Sequence, residues 1–149
     1  MRAVIQRVLD ASVKTGDVEI ARIGRGVLVL LGISSEDSEE DARYLAEKTV
    51  YLRIFPDETD KMSLSVLGIE GEILVVSQFT LYGDCRKGRR PSYSSAARPD
   101  IAQALYESYV KELLKYTAKV GTGRFQEMME VSLINDGPVT LLLDSRKNF

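Results

Sequence analysis

The chain has 149 residues, 44% of them apolar and 28% charged, which suits the core and surface of one compact domain. It has no histidine and a single cysteine, Cys85, so Ser-His and Cys-His nucleophile pairs, an internal disulfide and a multi-thiolate zinc site are excluded. A formal net charge of −2 excludes a molecule covered in positive potential, although a local basic patch can still hold phosphates.

Residues 1–9 are rich in β-branched types and read as a strand. They lack the long apolar stretch and small-residue cleavage site of a signal peptide, and no run of the chain approaches the ~20 apolar residues of a membrane span. The expectation is a cytoplasmic protein with no membrane partner. Ala11 to Ile23 predicts a strand pair turning at Thr15-Gly16-Asp17. Gly26 to Ile33 is a continuous apolar run, the pattern of a strand buried on both faces. Ser34 to Ser38 offers N-caps, acidic residues follow, and Ala42, Leu45, Thr49 and Leu52 recur at helical spacing. A helix should therefore run to about Arg53, with Pro56 ending it. Asp57 to Lys61 reads as a loop.

Glu72 to Leu81 predicts a strand whose apolar first half gives way to polar groups. Tyr82 to Arg98 reads as a long surface loop. Pro99 and Asp100 open a second helix with Ile101, Leu105, Tyr109 and Leu113 on one face, closed by Gly121-Thr122-Gly123. Phe125 to Ile134 reads as a strand, with Met128 and Met129 packed in the core. Asn135 to Pro138 reads as a turn and Val139 to Leu143 as a final strand. The order predicts one domain over residues 1–149, α/β or α+β in class, with a mixed sheet and two long helices.

Three segments carry chemistry-bearing groups. Ser77-Gln78-Phe79-Thr80 ends a strand with hydroxyls, an amide and backbone N–H groups able to hold an oxyanion. The same residues also fit a strand end that merely meets solvent. Asn135-Asp136-Gly137-Pro138-Val139-Thr140 places a proline between apolar strands, which fits either an ordinary turn or a rigid presentation of main-chain carbonyls. Arg86-Lys87-Gly88-Arg89-Arg90 gathers four cations in five residues, a phosphate-binding patch or a solvated loop. Cys85 reads as an incidental thiol, Gly121 to Gly123 lacks the context of a phosphate loop, and the acidic run 35–41 reads as a helix start.

Together with Gln6-Arg7-Val8 and Arg89-Arg90-Pro91-Ser92, these motifs resemble the D-aminoacyl-tRNA deacylase family over essentially the whole chain. The resemblance implies a compact barrel-like fold and a homodimer. It implies hydrolysis of the ester joining a D-amino acid, or glycine, to the terminal adenosine of tRNA, with no metal or cofactor. In the family the Gly-Pro bond is cis and reaches into the partner's pocket, which assigns Gly137 and Pro138 as a chirality filter. Ser77, Gln78, Phe79 and Thr80 would line the pocket. Backbone N–H groups of Phe79 and Thr80 would hold the oxyanion, and Lys87, Arg89 and Arg90 would contact tRNA. The resemblance favours assistance by the substrate's own 2′-hydroxyl over a Thr80 nucleophile, since no base is present to activate that hydroxyl. One departure stands out. The family commonly carries Phe-Gly-Ala before its methionine, whereas this chain has Phe125-Gln126-Glu127 before Met128-Met129, which bears on substrate preference. The competing expectations are a non-catalytic RNA-binding module using residues 86–90 and a dimeric interaction domain whose Gly-Pro segment fixes an interface.

Overall fold

The computed structural model describes residues 1–149. Strand β1 runs from Arg2 to Thr15, turns at Gly16-Asp17, and returns as β2, Val18–Ile23. Its first half pairs antiparallel with β3, Gly26–Gly32, and its second half with β2. One continuous strand therefore replaces the two expected over residues 1–15, because β1 finds partners along its whole length. β6, Glu72–Ser77, lies parallel to β3, and β7, Val120–Thr122, lies parallel to β6. β8, Glu130–Asp144, covers the other side of β1. Phe55–Pro56 (β4) and Met62–Leu64 (β5) form a separate small hairpin.

The result is a mixed, nearly closed barrel with two helices. The far strand β7 curls back on β2, and a Cβ at Gly121 would lie 3.3 Å from the Ala21 methyl. Seven buried side chains fill the barrel, among them Val8, Val13, Leu28 and Leu74. The larger cluster, of 21 buried residues, lies between the sheet and helices α1, Glu39–Tyr51, and α2, Pro99–Leu114. β3 is buried at every position but one, as its unbroken apolar run predicted.

Helix α1 starts where the sequence predicted. The Asp41 carboxylate accepts the Ser38 backbone N–H at 2.8 Å, and Glu39, Glu40 and Asp41 occupy the positive end of the helix dipole. α2 begins at Pro99, but its inner face is Ala102, Leu105, Tyr106, Tyr109 and Leu113, while Ile101 is turned to solvent. The Thr49 and Tyr109 hydroxyls meet at 2.7 Å and tie the helices together. α2 ends at Leu114 rather than at Gly121 to Gly123. Those residues are drawn into β7 and its edge, with Gly123 N–H bonded to the Val75 carbonyl.

Two further expectations need correction, both beside the candidate site. β6 stops at Ser77 and does not reach Leu81: Gln78 N–H takes the Leu31 carbonyl at 2.8 Å, β3 then ends at Gly32, and no ladder partner remains. The chain folds instead into a 3-10 turn, Phe79–Tyr82. Likewise Asn135 to Pro138 is not a turn between two strands. It stays inside β8 as an irregularity, flanked by register shifts at Gln6/Val8 and Val8/Asp10, because β1 continues alongside it.

Candidate active site

The 3-10 turn is the focal element. Leu81 N–H donates to the Gln78 carbonyl and Gly83 N–H to that of Thr80. The first two N–H groups of the turn, on Phe79 and Thr80, precede any i→i−3 bond, the position that leaves helix-start donors free for another acceptor. Phe79 is 58% exposed and meets the Tyr93 ring edge-on at 5.1 Å. These two rings help wall a cleft of about 660 Å³ that also takes in Ser77, Gln78, Pro99 and Phe125. The Gln78 side-chain amide donates to the Thr80 hydroxyl. That amide is not a base, so the contact orients Thr80 without activating it as a nucleophile.

β6 is fixed beneath the turn by α2. The Tyr106 hydroxyl, its phenol pushed above the ordinary range by burial, donates to the Val75 carbonyl at 2.8 Å. On the other side, Arg2 donates to the Leu81 carbonyl at 3.0 Å and lies 4.6 Å over the Tyr82 ring. The site's backbone donors thus stand on a turn held at both ends.

The second segment is built by side chains that sequence reasoning did not assign. Gly137 has φ +114, in the region that favours glycine, and the Gly137–Pro138 peptide is cis. Arg7, 8% exposed, directs Nε to the Asp136 carbonyl at 3.2 Å and to its carboxylate at 3.0 Å, and Nη1 to the Ile54 carbonyl. A Cβ on Gly137 would come within 2.6 Å of Arg7 Nη2. Asn135 donates to the carbonyls of Arg7 and Val139 at 2.9 and 3.0 Å. A readable signal existed for Arg7: it shares the inward, period-two face of β1 with Ala3 and Ile5, where a charge needs a buried partner.

These two segments are not brought together within one chain. Ser77 aligns with Leu31, Leu31 with Ala3, and Gly137 lies opposite the Arg7 region of β1. Three strand spacings and four residues of rise separate them by about 20 Å along the sheet. Gly137 and Pro138 are exposed, on the strand that forms the barrel's free edge.

The basic segment is a pinched loop. Asp84 and Ser92 exchange backbone hydrogen bonds at 2.7 and 3.0 Å. Arg86 pairs with Asp84 at 2.7 Å, and the guanidinium holds that carboxyl well below its ordinary range. Lys87, Arg89 and Arg90 are exposed and have no carboxylate partner. Cys85 beside them is an exposed free thiol. No group of three or more His, Cys, Asp or Glu side chains is placed to hold a metal ion, and no helix is long and apolar enough to cross a membrane.

The family profile described as D-Tyr-tRNA(Tyr) deacylase matches residues 4–144. The chain belongs to the D-aminoacyl-tRNA deacylase family. Its members include D-aminoacyl-tRNA deacylases of Syntrophobacter fumaroxidans, 62% identical, and of Thermosipho africanus, 61% identical, each over the full length of both chains. Among solved structures, one described as c-Myc DNA unwinding element binding protein is 43% identical with a TM-score of 0.92, covering 97% of this chain and 98% of that one. A second, described as a probable eukaryotic D-amino acid tRNA deacylase, has a TM-score of 0.84 at 20% identity over 95% of this chain and 97% of that one, and shows the fold alone.

The departure from the family's Phe-Gly-Ala pattern now has a place. Phe125 to Met129 is a loop rather than a strand, and it lines the Phe79 cleft. Gln126 adopts φ +61, a left-handed conformation that residues other than glycine rarely take. Met128 is 90% exposed, contrary to the core expectation, whereas Met129 packs against the barrel interior.

Proposed function

We propose that the chain, as one domain over residues 1–149, hydrolyses the ester of D-aminoacyl-tRNA and of glycyl-tRNA and works as a cytoplasmic homodimer. The observation that carries this reading is the pairing of a cleft lined by Ser77, Gln78 and Phe79 (Thr80 is next to it in the turn but outside the lining) with a distant, exposed Gly-Pro segment braced by Arg7 and Asn135. Each lacks what the other offers, and a second copy supplies it.

In this reading the aminoacyl carbonyl oxygen lies at the Phe79 and Thr80 N–H groups, which stabilise the oxyanion as water adds. The ribose 2′-hydroxyl passes the proton from the attacking water to the departing 3′-oxygen, so no protein base is required. The partner's Gly137 and Pro138 carbonyls crowd one face of the α-carbon. An L side chain placed there desolvates a carbonyl without replacing its hydrogen bond; a D side chain points away, and glycine has none to reject. Lys87, Arg89 and Arg90 take tRNA phosphates.

A second reading, nucleic-acid binding without hydrolysis, draws on the unpaired cations and on the relative described as a DNA unwinding element binding protein. Incubation with matched D- and L-tyrosyl-tRNA separates the two. Release of D-tyrosine with L-tyrosyl-tRNA left intact is expected. Cleavage of neither ester removes the enzyme reading, and equal cleavage removes the chirality filter.

A further inference from the structure

The Phe79 cleft is walled mostly by apolar groups, among them Leu31, Ile33, Val76 and Ala97. Of the residues that line it, one is charged, Glu127. Its carboxylate accepts no hydrogen bond within the chain. The nearest cation, Arg124, stands 3.8 Å away, with the two side chains 55% and 42% exposed, a separation and exposure at which an ion pair contributes little. Glu127 therefore keeps nearly all of its capacity to accept hydrogen bonds.

A carboxylate at the mouth of an apolar cleft repels phosphate and attracts a cation, and the attraction strengthens as the cleft loses water on binding. Of the groups on an aminoacyl-tRNA, the backbone and ribose offer no cation. The amino acid does, always through its α-ammonium and, in basic residues, through the side chain. We infer that Glu127 is a specificity-determining residue that recognises an ammonium group of the aminoacyl moiety bound beside Ser77, Gln78 and Phe79. The inference rests on the deacylase reading above. It also gives the Gln126-Glu127 replacement a consequence: this chain carries a charged contact where the family's small pair carries none. An N-acylated amino acid has no positive charge at that atom, so it leaves the carboxylate without its partner and is disfavoured.

The test compares wild type with Glu127→Gln and Glu127→Asp on D-tyrosyl-tRNA, N-acetyl-D-tyrosyl-tRNA and D-lysyl-tRNA. Glu127 lies on an exposed loop, and circular dichroism checks that each variant is folded. The expected result is a roughly 10-fold fall in kcat/KM for D-tyrosyl-tRNA in Glu127→Gln, carried by KM. Glu127→Asp should recover part of it, and the N-acetyl substrate should be unaffected. A fall confined to D-lysyl-tRNA assigns the contact to the side-chain ammonium instead of the α-ammonium. Equal changes on free and acetylated substrates, or no change on any, overturn the inference while wild-type cleavage of D-tyrosyl-tRNA keeps the deacylase reading standing. If wild type cleaves none of the three esters, both fall together.

Discussion

Gly137 occupies a backbone that a side chain cannot share, on two independent counts: its φ of +114, and the Arg7 guanidinium 2.6 Å from where a Cβ would sit. Arg7 cannot retreat freely, because it also holds Asp136 and Ile54. Gly137→Ala should therefore lower stability by about 1–3 kcal/mol. It should also lower D-tyrosyl-tRNA cleavage by more than 10-fold, as the carbonyls shift by a fraction of an ångström. Thermal unfolding and single-turnover rates read the two effects separately. Thr80 gives the opposite expectation. Its hydroxyl meets only the Gln78 amide, and its backbone N–H survives substitution, so Thr80→Ala should keep activity within about 10-fold of wild type. Complete loss in a folded, tRNA-binding variant would instead assign Thr80 as nucleophile.

At the scale of elements, the hydroxyl of Tyr106 links α2 to β6 two residues before the site. Tyr106→Phe should cost about 1 kcal/mol in urea unfolding, because the Val75 carbonyl keeps the Gly123 N–H as a second partner at 3.0 Å. An unchanged midpoint would mean that this bond contributes nothing. The elements that were legible in the sequence are those whose signals are local. β3 declared itself by an apolar run between glycines, α1 by Ser38 and the acids after it, and α2 by Pro99. What escaped is set by partners distant in the chain. β6 ends at Ser77 because β3 runs out, and β8 passes through Asn135 to Pro138 because β1 continues beside it. The Ser77 to Thr80 and Gly137-Pro138 motifs were visible as residues, but their bracing by Arg7, Asn135 and Tyr106 depends on contacts that no spacing encodes.

At the scale of the whole molecule, charge and edge decide how the chain meets its partners. Lys87, Arg89 and Arg90 are unpaired on one loop of a molecule with net charge −2, so binding of tRNA should lean on that loop. Replacing all three by Ala should weaken tRNA binding on the order of 10-fold at physiological salt and flatten its salt dependence. An unchanged slope would remove the loop from the interface. β8 leaves one edge unpaired along its length and exposes Ile134 and Leu142, which suits pairing with a second copy. With that edge paired, the Phe79 turn of one subunit and the Gly137-Pro138 segment of another would make one site. Co-expression of Phe79→Pro, which removes one oxyanion N–H at the first position of the turn, where proline is tolerated, with Gly137→Val, each expected to lose most activity alone, is the decisive test of that shared site. Random pairing should restore about one quarter of wild-type D-tyrosyl-tRNA cleavage, since half the dimers are mixed and each holds one intact site of two. No recovery in verified mixed dimers, or full activity from a monomer, would contradict it.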